Sequence, residues 1–144
     1  MSREIKFRGK RIDNGEWVFG SLIALTTGYY IVPTDTYYNT ADIDLGEKTT
    51  INALWEHNDF YKVIPETVGQ YIETINGHEI YHHDIVKAYK YGDKETKPFI
   101  YEITYRNGTW WFGNWTWVEF LQTFRYVEVI GNIYDNPELL KEGE

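Results

Sequence analysis

The dipeptide Asn107-Gly108 constrains the fold of this chain more than any other short feature. The stretches on either side, Tyr101–Arg106 and Thr109–Phe112, are rich in β-branched and aromatic residues, which favour strands. Asn-Gly accepts positive φ at both central positions of a type I′ turn, so the sequence predicts a tight hairpin whose register is fixed. In that register Thr104 lies opposite Trp111 and Ile103 lies opposite Phe112.

The fixed register also predicts which side chains share a face of the hairpin. One face should contact the core, and it holds Ile103, Tyr105, Trp110 and Phe112. Trp111 falls on the other face, beside polar Thr104. It is therefore the aromatic residue that does not match its surroundings.

The rest of the chain is also predicted to be mainly β. Of 144 residues, 18% are aromatic, including 13 Tyr and 6 Trp, which suits pleated, half-buried surfaces. Alternation in Glu4–Arg11 and the strand-like run Trp17–Leu25 predict an antiparallel N-terminal hairpin and sheet region. Pro65 stops the next apolar run, so we expect two regions, residues 1–65 and 66–144.

One short helix is expected within the second region. Thr116 and Glu119 have the spacing of a capping box, in which each side chain bonds the backbone N–H of the other residue. Trp117, Phe120 and Phe124 then recur at helical spacing. A last helical turn is expected after Pro137.

Charge and cysteine content limit the cellular compartment and the kinds of partner that suit this chain. No cysteine is present, which excludes disulfides and thiolate zinc sites and fits a reducing cytoplasm. The apolar run Leu22–Leu25 is too short to cross a bilayer, and no signal peptide is expected, so no membrane association is predicted. The formal net charge is −8, which disfavours duplex nucleic acid as a partner.

Two groups of side chains are candidate binding residues. The first is a basic cluster near the N-terminus, which either borders an edge strand or contacts phosphate groups: Arg3, Lys6, Arg8, Lys10 and Arg11. The second is the aromatic pair Trp111 and Trp115, which could grip a peptide or stack on bases. Trp110 and Trp117 are instead expected in the core.

Four ligand-capable residues lie close together in the sequence: His78, His82, His83 and Asp84. In a strand, His78 and His82 share a face about 13 Å apart, and His82 and His83 point to opposite faces. We therefore expect exposed turn residues, with no metal site and no cofactor. No spacing selects a catalytic pair among the carboxylates, and no nucleophile motif is present.

Three ordered motifs resemble the YopX family, small proteins encoded by phages and prophages of bacteria. They are Arg3–Arg8, Thr67–Tyr71 with Gly77–Val86, and Val129–Leu140. The resemblance implies a β-rich fold whose C-terminal half is a small SH3-like barrel, and no assigned activity. Where the family has Glu-Gly, this chain has His82-His83, so His83 must accept a left-handed backbone or relax the turn.

These observations lead to three hypotheses. The first is a non-enzymatic phage or prophage accessory protein in the cytoplasm of a bacterial host, binding a host or phage protein. The alternative is a nucleic-acid-binding protein that uses the basic N-terminal strand with exposed aromatics. A small metal-dependent hydrolase built on the histidine cluster is the least favoured. The sequence does not name the partner, the stage of infection or the oligomeric state.

Overall fold

A computed structural model describes residues 4–33 and 60–142 of the chain. The chain divides into two compact units, Met1–Gln70 and Tyr71–Glu144. The sequence predicted a boundary at residue 65, where the structure has a 3-10 turn, Pro65–Thr67.

The first unit is an antiparallel sheet. Its described strands are β1 Phe7–Lys10, β2 Trp17–Leu25, β3 Gly28–Pro33, β4 Tyr61–Val63 and the start of β5 Gly69–Ile75. They lie in the order β4-β3-β2-β1-β5. Val18, Ile31 and Val63 are buried together and form the core of this unit.

The second unit adds a hairpin and a five-stranded antiparallel sheet. Its elements are the end of β5, β6 His78–Tyr81, β7 Asp84–Lys90, β8 Phe99–Arg106, β9 Thr109–Phe112, β10 Trp115–Thr116, α1 Trp117–Thr123, β11 Phe124–Asn132 and α2 Glu138–Glu142. β6 pairs with β5, and the sheet order is β10-β9-β8-β7-β11.

The prediction of a mainly β fold is confirmed. The five-stranded sheet of the second unit is open, with β10 and β11 as its outer strands, so the barrel implied by the family resemblance is not closed. β10 has only two residues, which is too short to complete a ring of strands. β11 therefore keeps a free edge along the described part of the chain.

The Asn107-Gly108 hairpin forms in the predicted register. Ile103 pairs with Phe112, and Thr104 pairs with Trp111. Ile103 and Phe112 are fully buried. The expectation that Tyr105 belongs to the core is wrong, because its side chain is 53% exposed. Tyr105 lies near the turn, where the hairpin extends past the core, and its ring packs only edge-on against Trp110.

α1 begins at the predicted capping box. The Thr116 hydroxyl accepts from the Glu119 backbone N–H at 3.3 Å, and the Thr116 N–H donates to Glu119 Oε1 at 2.9 Å. The helix buries Trp117 and Phe120. Phe120 packs against Phe112 with ring centroids 4.7 Å apart, which places α1 over the sheet core.

Candidate functional site

A groove of about 800 Å³ lies within the second unit. One wall is the turn of the β5–β6 hairpin, and the other is formed by the end of α1, the start of β11 and the turn after β7. The described residues that line it are Ile75, Asn76, His78, Tyr91, Gly92, Phe120, Leu121, Phe124, Arg125, Tyr126, Val127 and Glu128. This volume falls within the usual range for ligand pockets.

Three of the lining residues have left-handed backbones although they are not glycine. The φ angles are 53° at Asn76, 55° at Tyr91 and 56° at Tyr126. Such conformations are uncommon for residues with a β-carbon, and Tyr is bulkier than the residues that usually adopt them. Tyr91 is held there by its N–H, which donates to the Thr123 carbonyl at 2.7 Å. Tyr126 lies where the β7–β11 register shifts, in a β-bulge.

These backbone conformations accompany an exposed apolar surface. Tyr91 is 74% exposed, Val118 63%, Tyr126 51% and Leu121 40%. Val118 and Leu121 are three residues apart on α1, so they share one helix face. We call Tyr91, Val118, Leu121 and Tyr126 the tyrosine patch. Three of its four members line the groove.

Cations border the tyrosine patch. Lys94 Nζ lies 4.0 Å from the centroid of the Tyr126 ring, and Lys90 Nζ lies 5.7 Å from that of Tyr91. Arg125 Nη1 donates to the carbonyls of Leu121, Gln122 and Phe124 at the end of α1. These carbonyls carry the negative end of the helix dipole, so the guanidinium is held in place.

A second cluster forms at the turn between β6 and β7. The rings of His82 and His83 are stacked with centroids 3.6 Å apart. His83 Nδ1 lies 2.7 Å from Glu102 Oε2, which fixes the imidazole. His83 adopts φ 78°, the left-handed conformation that the sequence named as one of two possibilities. The Asp84 carboxylate accepts from the Tyr81 N–H at 2.7 Å and closes the turn. Asp84 is buried, and the three histidines of the cluster are only partly exposed, so the expectation of exposed turn residues is wrong.

Aromatic rings enclose the histidine pair. His82 meets the edge of Trp110 at 5.1 Å, and His83 meets Tyr134 at 5.4 Å. The expectation that the two histidines point to opposite faces is wrong, because they lie in the turn that follows β6. Among residues 4–33 and 60–142, no group of three or more His, Asp or Glu side chains is arranged to hold a metal ion.

The two candidate tryptophans have different surroundings. Trp111 is half-buried; its Nε1 donates to the Arg106 carbonyl at 2.9 Å, and the Arg106 guanidinium lies 4.2 Å from its ring centroid. Trp115 packs into the core, with its ring 5.0 Å from Phe124 and 5.4 Å from Phe99. A binding role for either residue stays a prediction.

The basic N-terminal cluster makes its contacts within the first unit. The expectation that it borders an edge strand is wrong, because β1 pairs with β2 on one side and with β5 on the other. Arg8 is only 6% exposed and lies 4.7 Å from the Trp17 ring centroid, while Lys10 lies 5.7 Å from the same ring. Lys6 pairs with Glu4 at 2.8 Å. Arg3 lies outside the described residues. Phosphate contact by this cluster stays a prediction.

Arg11 pairs with Asp13 in a two-pronged contact. The hydrogen bond from Arg11 lowers the pKa of the Asp13 carboxyl, and the same bond raises the pKa of Arg11. The Arg11 guanidinium also lies 3.8 Å from the Tyr61 ring centroid. Arg11 is therefore oriented by its own unit.

Residues 6–141 match the sequence profile of the family described as YopX protein. The chain belongs to the YopX family. The match covers the groove, the tyrosine patch and the histidine turn, so these features lie within the family domain. Comparisons with curated proteins and with solved structures gave no significant match.

Apart from His78, which lines the groove and was considered as a metal ligand, the groove residues of this YopX protein were not among the candidates drawn from its sequence. Gly92 after Tyr91 is a turn signal, but a turn signal does not indicate that the preceding tyrosine lines a groove. The bulge at Tyr126 has no glycine or asparagine to indicate it.

Within the described ranges, no helix is long and apolar enough to cross a membrane.

Proposed function

We propose that this YopX protein is a non-enzymatic phage or prophage accessory protein that binds a host or phage protein in the bacterial cytoplasm. The tyrosine patch is the observation that carries the proposal. Exposed apolar side chains grouped beside a groove are typical of protein-binding surfaces. Tyrosine is also enriched at such interfaces because it contributes a large rigid ring and a polar hydroxyl.

Backbone strain at the same place supports the proposal. Left-handed tyrosines are costly, and such outliers concentrate at ligand-binding sites. Tyr91 and Tyr126 both have this conformation, and both present more than half of their surface to solvent. A core-packing role explains neither the conformation nor the exposure.

An affinity pull-down from host cells, followed by mass spectrometry, tests the proposal. The variants are Tyr91→Asn, Tyr126→Asn and Leu121→Ser; asparagine tolerates the left-handed backbone. Each should lose the captured protein while keeping its melting temperature. Matched controls are Tyr105→Asn and Leu25→Ser, which replace exposed residues outside the patch and should retain capture.

Nuclease treatment of the lysate distinguishes protein binding from the alternative function, which is nucleic-acid binding. A protein partner bound directly by the patch should survive the treatment. Capture that disappears with nuclease would favour the nucleic-acid hypothesis instead. Equal capture by the patch variants and the wild-type protein would reject the tyrosine patch as the binding surface.

A further inference from the structure

Arg125 presents a preorganised hydrogen-bonding edge at the groove. Its Nη1 is held by three carbonyls, at 3.3, 3.3 and 2.8 Å, while the side chain as a whole is exposed. Within the described part of the chain, Nε and Nη2 have no hydrogen-bond partner. These two nitrogens form the parallel pair that matches a carboxylate.

The local charge of the groove favours an anionic group. Arg125 lies in the lining, and Lys90 and Lys94 lie against the rings of Tyr91 and Tyr126. Glu128 is the one acid among the described lining residues. Lys90 and Lys94 lie outside the lining, and the acids Asp93 and Glu95 lie beside them in the sequence. Arg125 is therefore the cation that an anionic group in the groove would meet.

The groove also offers an apolar floor beside Arg125. Phe120 is fully buried, and Phe124 and Val127 are 3% and 5% exposed; all three contribute to the lining. These side chains are already closed off from solvent, so a partner side chain entering here would bury mainly the exposed surface of Leu121, which is 40% exposed. A charged edge next to an apolar floor selects an acidic residue adjacent to an apolar or aromatic one.

The shape of the groove suits an extended chain. β11 is an outer strand of its sheet, and its residues from Phe124 to Glu128 line the groove. The edge of an outer strand carries backbone groups that can bond an extended peptide. The bulge at Tyr126 interrupts this edge, so side-chain contacts must supply most of the selectivity.

We propose that the groove binds an extended acidic peptide segment of the partner protein. A Glu or Asp carboxylate of the segment accepts hydrogen bonds from Arg125 Nε and Nη2, and a neighbouring aromatic or aliphatic side chain packs between Leu121 and Tyr126. This inference rests on the proposed function and specifies the chemistry of the partner.

Peptides displayed from a random library and selected on the intact protein test the inference. The selected peptides should contain an acidic residue next to an apolar one. They are then synthesised with blocked ends, and affinity is measured by fluorescence polarisation. Replacing the acid by its amide should weaken binding about tenfold or more, because a charged hydrogen bond is lost.

Substitution of Arg125 provides the complementary measurement. Arg125→Lys keeps the charge but removes the paired donors, so it should weaken the acidic peptide about tenfold or more and leave the amide analogue unchanged. Arg106→Lys is the matched control, because Arg106 is exposed and lies outside the groove lining; it should have no effect. Melting temperatures confirm that both variants are folded.

Three outcomes would overturn the inference. They are selected peptides that are neutral or basic, full affinity in Arg125→Lys, and binding that requires a free C-terminal carboxylate. If one of these occurs while the patch variants still lose the captured protein, the proposed function stands and only the peptide chemistry is wrong. Patch variants that retain capture would reject the proposed function itself.

Discussion

Adjacent tryptophans on β9 illustrate how single residues take different roles within one strand. Trp110 packs against the core cluster of the second unit, and its ring contacts Tyr105 and His82. Trp111 faces Thr104 and lies under Arg106. The alternation of a strand places them on opposite faces, and the turn sequence alone was sufficient to predict this.

Trp110→Ala is expected to destabilise the protein more than Trp111→Ala. Loss of the Trp110 ring removes core contacts and leaves a void, at a cost of about 2–4 kcal/mol for a partly buried ring. Trp111→Ala loses a half-exposed ring and one hydrogen bond, which should lower the free energy of unfolding by about 1 kcal/mol. Urea unfolding measures both. Equal and large losses would mean that Trp111 is as important to the core as Trp110.

His83 combines a strained backbone with a fixed side chain. His83→Val places a β-branched residue at φ 78° and is expected to cost about 2 kcal/mol or more. His83→Gly relieves the strain but loses the contact with Glu102, so its stability should stay within about 1 kcal/mol of wild type. Thermal unfolding compares the variants. If the glycine variant were as unstable as the valine variant, the loss of stability would come from the missing side-chain contact with Glu102 and not from backbone strain.

At the scale of elements, the capping box of α1 was predictable because it is local. Its two partners are three residues apart, and their hydrogen bonds depend on little beyond the first turn of the helix. The bulge in β11 was not predictable, because it depends on how β11 meets β7. Local chemistry thus accounts for the start of α1 but not for the conformation of Tyr126.

The capping box predicts a pH-dependent contribution to stability. The Thr116 backbone N–H and then its hydroxyl lower the pKa of Glu119 in the folded protein. A lowered pKa stabilises the fold above the ordinary carboxyl pKa, and this stabilisation is lost as the pH falls through the folded value. Wild type should therefore melt above Glu119→Gln at neutral pH, and the difference should shrink as the pH falls below the ordinary carboxyl pKa and through the lowered one. A difference that is independent of pH would contradict the role of the charge.

At the scale of the whole molecule, the described residues form two separate cores. One contains Val18, Ile31 and Val63, all in the first unit. The other is larger and includes Ile80, Phe112 and Phe120, all in the second unit. A core of this size within residues 71–144 indicates that the second unit has what it needs to fold by itself.

A fragment of residues 66–144 is accordingly expected to fold cooperatively. It retains every buried residue of the larger cluster as well as the β5–β6 hairpin. Circular dichroism should show a strand-rich spectrum with a single thermal transition. Residues 1–65 alone should be much less stable, because a small domain buries too little apolar surface. A disordered 66–144 fragment would show that its core requires the first unit.

The sequence by itself determined the features that depend on neighbouring residues. These are the strands, the Asn107-Gly108 register and the capping box, because each is governed by backbone sterics or by hydrogen bonds across a few positions. The resemblance to the YopX family was also visible in the sequence, because its motifs are short runs of neighbouring residues.

Only the tertiary structure decided where the groove lies and what lines it. Tyr91 is far along the sequence from Leu121 and Arg125, and the three share a surface because α1 packs over the sheet beside the turn after β7. The stacking of His82 on His83 and their contacts with Glu102 and Trp110 likewise depend on β8 and β9 lying next to the turn between β6 and β7. Such contacts between distant segments follow from the packing of the elements, which no local pattern specifies.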